Sequence, residues 1–130
     1  MPPATESATE QIWRVICLCA QWCGVCRDYQ SLFDRVALEH PDVQFDWVDV
    51  EDEAEAMGDV DVETFPTLLV AQGGNARFLG PVPPAAEQLA RLLSGLRRDS
   101  AADAPQPPGA AALLQRLLAA RCPTRVVLPS

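Results

Sequence analysis

Residues Ile12 to Cys19 (IWRVICLC) are an apolar, β-branched-rich run of strand length, suited to a strand covered on both faces. The period then changes. Val25, Tyr29, Leu32, Phe33 and Val36 fall at i, i+4, i+7, i+8 and i+11, one face of a helix that His40-Pro41 stops. Val43 to Val50 alternates apolar and polar positions and predicts a second strand, and EDEAEAMG predicts a short acidic helix ended by Gly58. Pro66 to Ala71 (PTLLVA) is a third strand, Gln72 to Asn75 a turn, and Ala76 to Gly80 the return strand of a hairpin. Pro83-Pro84 opens a helix that runs to Leu96 with Leu89, Leu92, Leu93 and Leu96 on one stripe. The order β-α-β-α-β-β-α predicts an α/β fold, a mixed four-stranded sheet with helices on both faces.

This domain is assigned to residues 1–97. Residues 98–109 (RDSAADAPQPPG) have the composition of a linker, without an apolar anchor. Residues 110–130 form a C-terminal extension in which Leu113, Leu114, Leu117 and Leu118 make a narrow stripe on one short helix. Such a helix is marginal alone in water, so it docks or frays. The segment CPTRVVLP that follows has no clear structure.

Composition adds limits. Apolar residues are 48% and charged residues 22% of the 130, as in a soluble globular chain. No apolar stretch reaches the roughly 20 residues needed to cross a bilayer, and the polar, acidic start lacks the marks of a secretory signal. The expected compartment is the cytoplasm, where five cysteines do not suggest a structural disulfide framework. The net charge is −8, all ten basic residues are Arg, and ten carboxylates lie between Asp42 and Glu63 with no basic residue among them. That balance disfavours nucleic acid and reads as a solvated acidic face.

The chemistry centres on Trp22 to Arg27, W-C-G-V-C-R. Cys23 stands at the turn from strand to helix, where free N–H groups and the helix dipole favour negative charge on sulfur. Thiolate is the attacking species in disulfide exchange. Cys26 lies one turn further in and is the natural resolving thiol. Gly24 allows close backbone approach, and Trp22 forms an apolar wall. Forty residues past Cys26, Thr64-Phe65-Pro66-Thr67 places a proline at the head of a central-looking strand, which calls for a reason because proline cannot donate to a ladder.

Together these features resemble the thioredoxin family over residues 12–97: W-C-G-V-C-R is similar to the family's W-C-G-P-C-[KR], F-P-T-L-L-V to its cis-proline loop, and Gly80 to the glycine before its last helix. The resemblance implies a thioredoxin-like fold and a protein-disulfide reductase with a redox-active Cys23-Cys26 disulfide and no other cofactor or metal. It implies a cis Pro66 against the two sulfurs, with the Phe65 backbone free to pair with a substrate. The implied partners are disulfide-containing client proteins and a thioredoxin reductase or similar electron donor, for a monomer that binds neither nucleic acid nor membrane.

The chain departs from the family in ways that matter. Only 21 residues precede Trp22, fewer than usual, so the family's first strand or much of its first helix is expected to be missing or reduced, leaving four strands. That would expose the edge of the strand at Val43 to Val50 unless the N-terminal segment or the tail covers it. Cys17, six residues before Cys23, stands where the family commonly has a buried proton-shuttling Asp; a thiol does that work weakly, or Cys17 is only a small core residue. Val25 replaces proline between the cysteines, and Phe65 is bulkier than usual. Cys19 shares a strand face with Cys17, at a position where the family often has an aromatic; Cys19 and the tail's Cys122 read as incidental. Two rivals remain: a structural zinc site from Cys17, Cys19, Cys23 and Cys26, disfavoured by poor convergence, and a binding or chaperone module that keeps the scaffold with little turnover.

Overall fold

The structure is a computed structural model that describes residues 12–20, 22–58, 60, 62, 65–73, 75–98, 109–119 and 125–127. Strand β1 (Trp13–Cys19) leads to helix α1 (Gly24–Glu39), strand β2 (Val43–Asp49) and the one-turn helix α2 (Ala54–Met57). Strands β3 (Thr67–Gln72) and β4 (Asn75–Pro81) form the hairpin, followed by helix α3 (Ala86–Arg98), helix α4 (Ala110–Ala119) and strand β5 (Arg125–Val127). The sheet order is β4-β3-β1-β2-β5. Only β1 and β2 run parallel, joined through α1, and the other pairs are antiparallel. The four expected strands thus form a mixed sheet flanked by helices. Gly73, with φ of 58°, makes the hairpin turn and donates its N–H to Ile12.

Strand alternation sorts the core into two layers. Trp13, Val15, Cys17 and Cys19 of β1 face one side with Val43, Phe45 and Trp47 of β2 and Leu68 and Val70 of β3. There they meet Cys26, Tyr29, Phe33, Val36 and Ala37 of α1 and Leu89 and Leu93 of α3. Phe33 is the hub, edge-on to Phe45 and Trp47 with centroids 5.3 and 5.6 Å away. The opposite side is aliphatic: Ile16, Leu18, Val48, Leu69 and Ala71 lie against Met57 of α2 and Ala110, Leu113, Leu114 and Leu117 of α4.

Helix α4 therefore docks: Ala110, Leu113, Leu114 and Leu117 have no solvent exposure, whereas Leu118, the last leucine of the expected stripe, is 36% exposed. Arg116 secures it by donating from Nε to the Ala56 carbonyl at 2.7 Å and from Nη2 to the Met57 carbonyl at 3.0 Å. These are carbonyls at the C-terminus of α2, where a cation is favoured. Gly58, at φ of 60°, lies directly against that guanidinium; a Cβ there would come within 2.9 Å of Nη2.

The tail also corrects the expectation that CPTRVVLP lacks structure. Its Arg125–Val127 pairs antiparallel with Phe45, Asp46 and Trp47 of β2, covering that strand's outer edge. Three residues are too few for an alternation pattern to be read from sequence. Residues 1–11, Thr64, residues 99–108 and Cys122 lie outside the described residues.

The acidic stretch is less solvated than its composition implies. Asp46 is buried, bonded to Arg14 at 2.8 Å and to Gln44 at 3.0 Å. Asp49 is buried too, and its Oδ1 accepts from the backbone N–H groups of Glu51 and Asp52, turning the chain after β2. No helix among the described residues is long and apolar enough to cross a membrane.

Candidate active site

Strand β1 ends at Cys19, and a turn brings the Cys23 N–H to the Ala20 carbonyl at 3.1 Å. Cys23 is the N-cap of α1, extended at φ −83° and ψ 120°, with no side-chain cap bond and no acidic residue in the first turn. Its sulfur stands half-exposed beside the orphan N–H groups of the helix start. Cys26, three residues on, faces inward and is buried. Val25 points out instead, 43% exposed, so the helical face expected to include Val25 begins at Cys26. Gly24 is exposed as well, and a Cβ there would meet nothing closer than the Arg27 guanidinium at 3.9 Å, so no contact within the fold demands a glycine.

The Phe65–Pro66 peptide is cis. Pro66 is buried at the head of β3, and its carbonyl accepts the Val82 N–H at 3.1 Å. Phe65 stands edge-on to Trp22 at 5.7 Å between centroids. Trp22 is 65% exposed and donates its indole N–H to the Glu51 carboxylate. Cys23 thus lies at a rim of Trp22, Val25 and Phe65, an apolar border with one carboxylate behind it.

The sulfurs beneath this rim are not arranged as the sequence suggests. The expected disulfide is Cys23-Cys26, but in the structure Cys26 is bonded to Cys19 and Cys23 is a free thiol. The cause is strand alternation. Cys17 and Cys19 both project to the α1 side of β1, and the first turn of α1 packs there, bringing the Cys19 and Cys26 Cα atoms to 5.8 Å, inside the range a disulfide spans. Cys19, read from sequence as incidental, is therefore part of the sulfur cluster. The signal was present in the C-x-C alternation, had it been combined with the inward turn of Cys26.

Cys17 lies deepest. Its thiol approaches the Cys19 sulfur at 3.7 Å, and burial pushes its pKa well above the usual 9.0. The buried Tyr29 hydroxyl, which has no hydrogen-bond partner among the described residues, is also pushed above its ordinary value of 10.0, first by burial and then by the charge Cys17 would carry. The position that would hold an acid is thus held by a neutral thiol. Among the described residues no group of three or more His, Cys, Asp or Glu is arranged to hold a metal ion.

The thioredoxin family model matches residues 6–93. The chain is 34% identical over 92 residues to "Thioredoxin H2-1" of Oryza sativa subsp. japonica, covering 69% of this chain and 64% of that one. It is 29% identical over 76 residues to "Putative thioredoxin 2" of Streptomyces coelicolor, covering 58% and 57%. The chain thus spans less than two thirds of the length of either. Among solved structures, Fasciola hepatica thioredoxin aligns with a TM-score of 0.57 at 26% identity, over 72% of this chain and 86% of that one.

Proposed function

The chain belongs to the thioredoxin family, and from that premise we propose that it is a thiol–disulfide oxidoreductase that reduces protein disulfides, with Cys23 attacking and Cys26 resolving. The observation that carries this reading is the free, half-exposed Cys23 thiol at the N-cap of α1, rimmed by Trp22 and Phe65. The cycle starts from the reduced protein, in which the Cys19–Cys26 bond is open. Cys23 thiolate attacks one sulfur of a client disulfide, and the other client sulfur leaves as thiolate. Cys26 thiolate then attacks the Cys23 sulfur, the client's second sulfur leaves, and Cys23 and Cys26 are joined. A thioredoxin reductase or comparable dithiol donor restores the two thiols.

The Phe65 backbone beside Pro66 offers an extended client segment a pairing edge, and Trp22, Val25 and Phe65 favour apolar residues next to the client disulfide. Cys17 replaces a buried acid with a thiol that burial keeps protonated, so proton removal from Cys26 is slow and turnover low. The proposed setting is a cytoplasmic monomer.

A second reading, a binding module with little turnover, is favoured by one observation: Cys26 is already bonded to Cys19, which leaves Cys23 without a resolving partner. Reduction of a model protein disulfide, coupled to a reductase system after prior reduction with a dithiol, separates the two. Cys23→Ser should abolish turnover, and Cys26→Ser should accumulate mixed disulfides at Cys23. Full turnover in Cys23→Ser sinks the oxidoreductase reading; partner retention by that variant, without turnover in the wild type, supports the binding module.

A further inference from the structure

We propose that Cys19 is a third redox-active sulfur, which competes with Cys23 for Cys26 and draws the disulfide from the surface into the core. The proposal rests on the oxidoreductase reading for how the outer pair is loaded, but its core is a rearrangement within this chain.

Cys26 has two partners within reach. Cys19 faces it from β1 with Cα atoms 5.8 Å apart and is the one bonded to it. Cys23 lies three residues earlier, at the extended N-cap of the same first turn, in the Cys-X-X-Cys spacing of redox dithiols. One sulfur cannot hold both. The outer bond would end in half-exposed Cys23, whereas the inner one joins residues at 0% and 1% exposure.

The step is an ordinary exchange. The Cys19 sulfur, as thiolate, attacks Cys26 Sγ; the Cys19–Cys26 bond forms, the Cys23–Cys26 bond breaks, and Cys23 leaves as thiolate. The proton lost by Cys19 is balanced by the one Cys23 takes up. One disulfide is exchanged for another, so no oxidant or reductant is consumed. The Cys17 thiol, 3.7 Å from the Cys19 sulfur, can donate a hydrogen bond to the attacking thiolate and offset part of its desolvation.

The product is an oxidised protein with a free outer thiol. In that state Cys23 can still capture a client or a small disulfide, but Cys26 is not available to release it. External thiols reach the inner bond only by re-entry through Cys23, because its two sulfurs are buried. Cys19 therefore turns a reductase into a holding form whenever reductant runs short.

The test follows disulfide positions over time in the full chain, by acid quench, two-step alkylation and peptide mapping. Reduced protein is oxidised with stoichiometric diamide in one arm and with a model protein disulfide in the other. The Cys23–Cys26 peptide pair should appear first and decay as the Cys19–Cys26 pair grows, ending in a roughly tenfold or greater excess of the inner pair. Persistence of Cys23–Cys26 with Cys19 fully alkylated overturns the proposal. Cys23→Ala should form the inner pair at least about tenfold more slowly, since both remaining thiols are buried; formation at the wild-type rate also overturns it. Because the wild-type time course needs no variant, misfolding of a mutant leaves the result readable. Migration in the diamide arm without reduction of the model disulfide sinks the oxidoreductase reading and leaves the relay standing. Reduction without migration does the reverse.

Discussion

The two faces of the sheet are built from different materials. The α1/α3 face is aromatic and sulfur-bearing: Trp13, Phe45, Trp47, Tyr29 and Phe33 surround Cys17, Cys19 and Cys26. The α2/α4 face is aliphatic, a layer of Ile, Leu, Val, Ala and Met that, among the described residues, has no aromatic ring and no sulfur beyond Met57. Edge-on contacts of Phe33 with Phe45 and Trp47 seat α1 against β2, the strand beside β1, and so fix where Cys26 meets Cys19. The aliphatic layer touches no redox group, and its work is to close the sheet. Position on one side is chemistry, whereas on the other it is only burial.

A pair of core truncations gives the largest contrast. Phe33→Ala should cost about 3–5 kcal/mol and Leu114→Ala about 2–5 kcal/mol in chemical denaturation. Below the unfolding transition, Leu114→Ala should keep the wild-type disulfide pattern and turnover, while Phe33→Ala alters both by loosening the seat of α1. Equal effects of the two on the disulfide pattern would break the division.

Arg116→Ala leaves two carbonyls at the end of α2 without their donor and should cost about 1–2 kcal/mol. Turnover should again be unchanged, because the loss falls on the aliphatic side. A fall in activity measured well below the melting temperature would mean that the two faces are coupled.

Cys17 sharpens the comparison through pH. Its folded pKa is raised above the usual 9.0, so its contribution to stability is complete below that pH and is lost as pH rises beyond it; Tyr29 adds the same trend from 10.0. Unfolding midpoints should fall above pH 9.0, less steeply in Cys17→Ala. Cys17→Asp should raise turnover at neutral pH by roughly tenfold if proton removal from Cys26 is limiting; no gain sinks that assignment.

The smallest effect is at the surface, between the turn before β2 and the end of α3. Asp42 is held below its usual 3.8, chiefly by the Arg97 guanidinium, and both side chains reach solvent, at 59% and 36% exposure. Its contribution is present above pH 3.8 and lost as pH falls through the lowered value. Asp42→Asn should change stability at neutral pH by less than about 0.5 kcal/mol, and less again in high salt.

The sequence made the first face legible and the second only in part. W-C-G-V-C-R and Phe65-Pro66 could be read because each combines local geometry with rare residue types. Period 2 in β1 and period 3.6 in α1 marked the faces. Cys19 escaped because in a fully apolar strand a cysteine is indistinguishable from any small core residue; its meaning comes from the inward turn of Cys26, a contact between elements. Val25 misled because it continues the helical stripe in sequence while standing at the open end of the helix. The docking of α4 was undecided by its four leucines, and β5 was too short for any pattern to show.

The β5–β2 pairing and the seat of α4 also set an order of events during synthesis. Strands β1 to β4, the cysteine cluster and the Phe65–Pro66 loop all leave the ribosome before residues 110–127. Until those residues emerge, Ile16, Leu18 and Leu69 have no α4 to cover them, and the outer edge of β2 is open. The nascent chain thus carries reactive thiols beside an uncovered apolar surface for a second or more at ordinary elongation rates. Residues 110–127 close the sheet only after the redox face has been made.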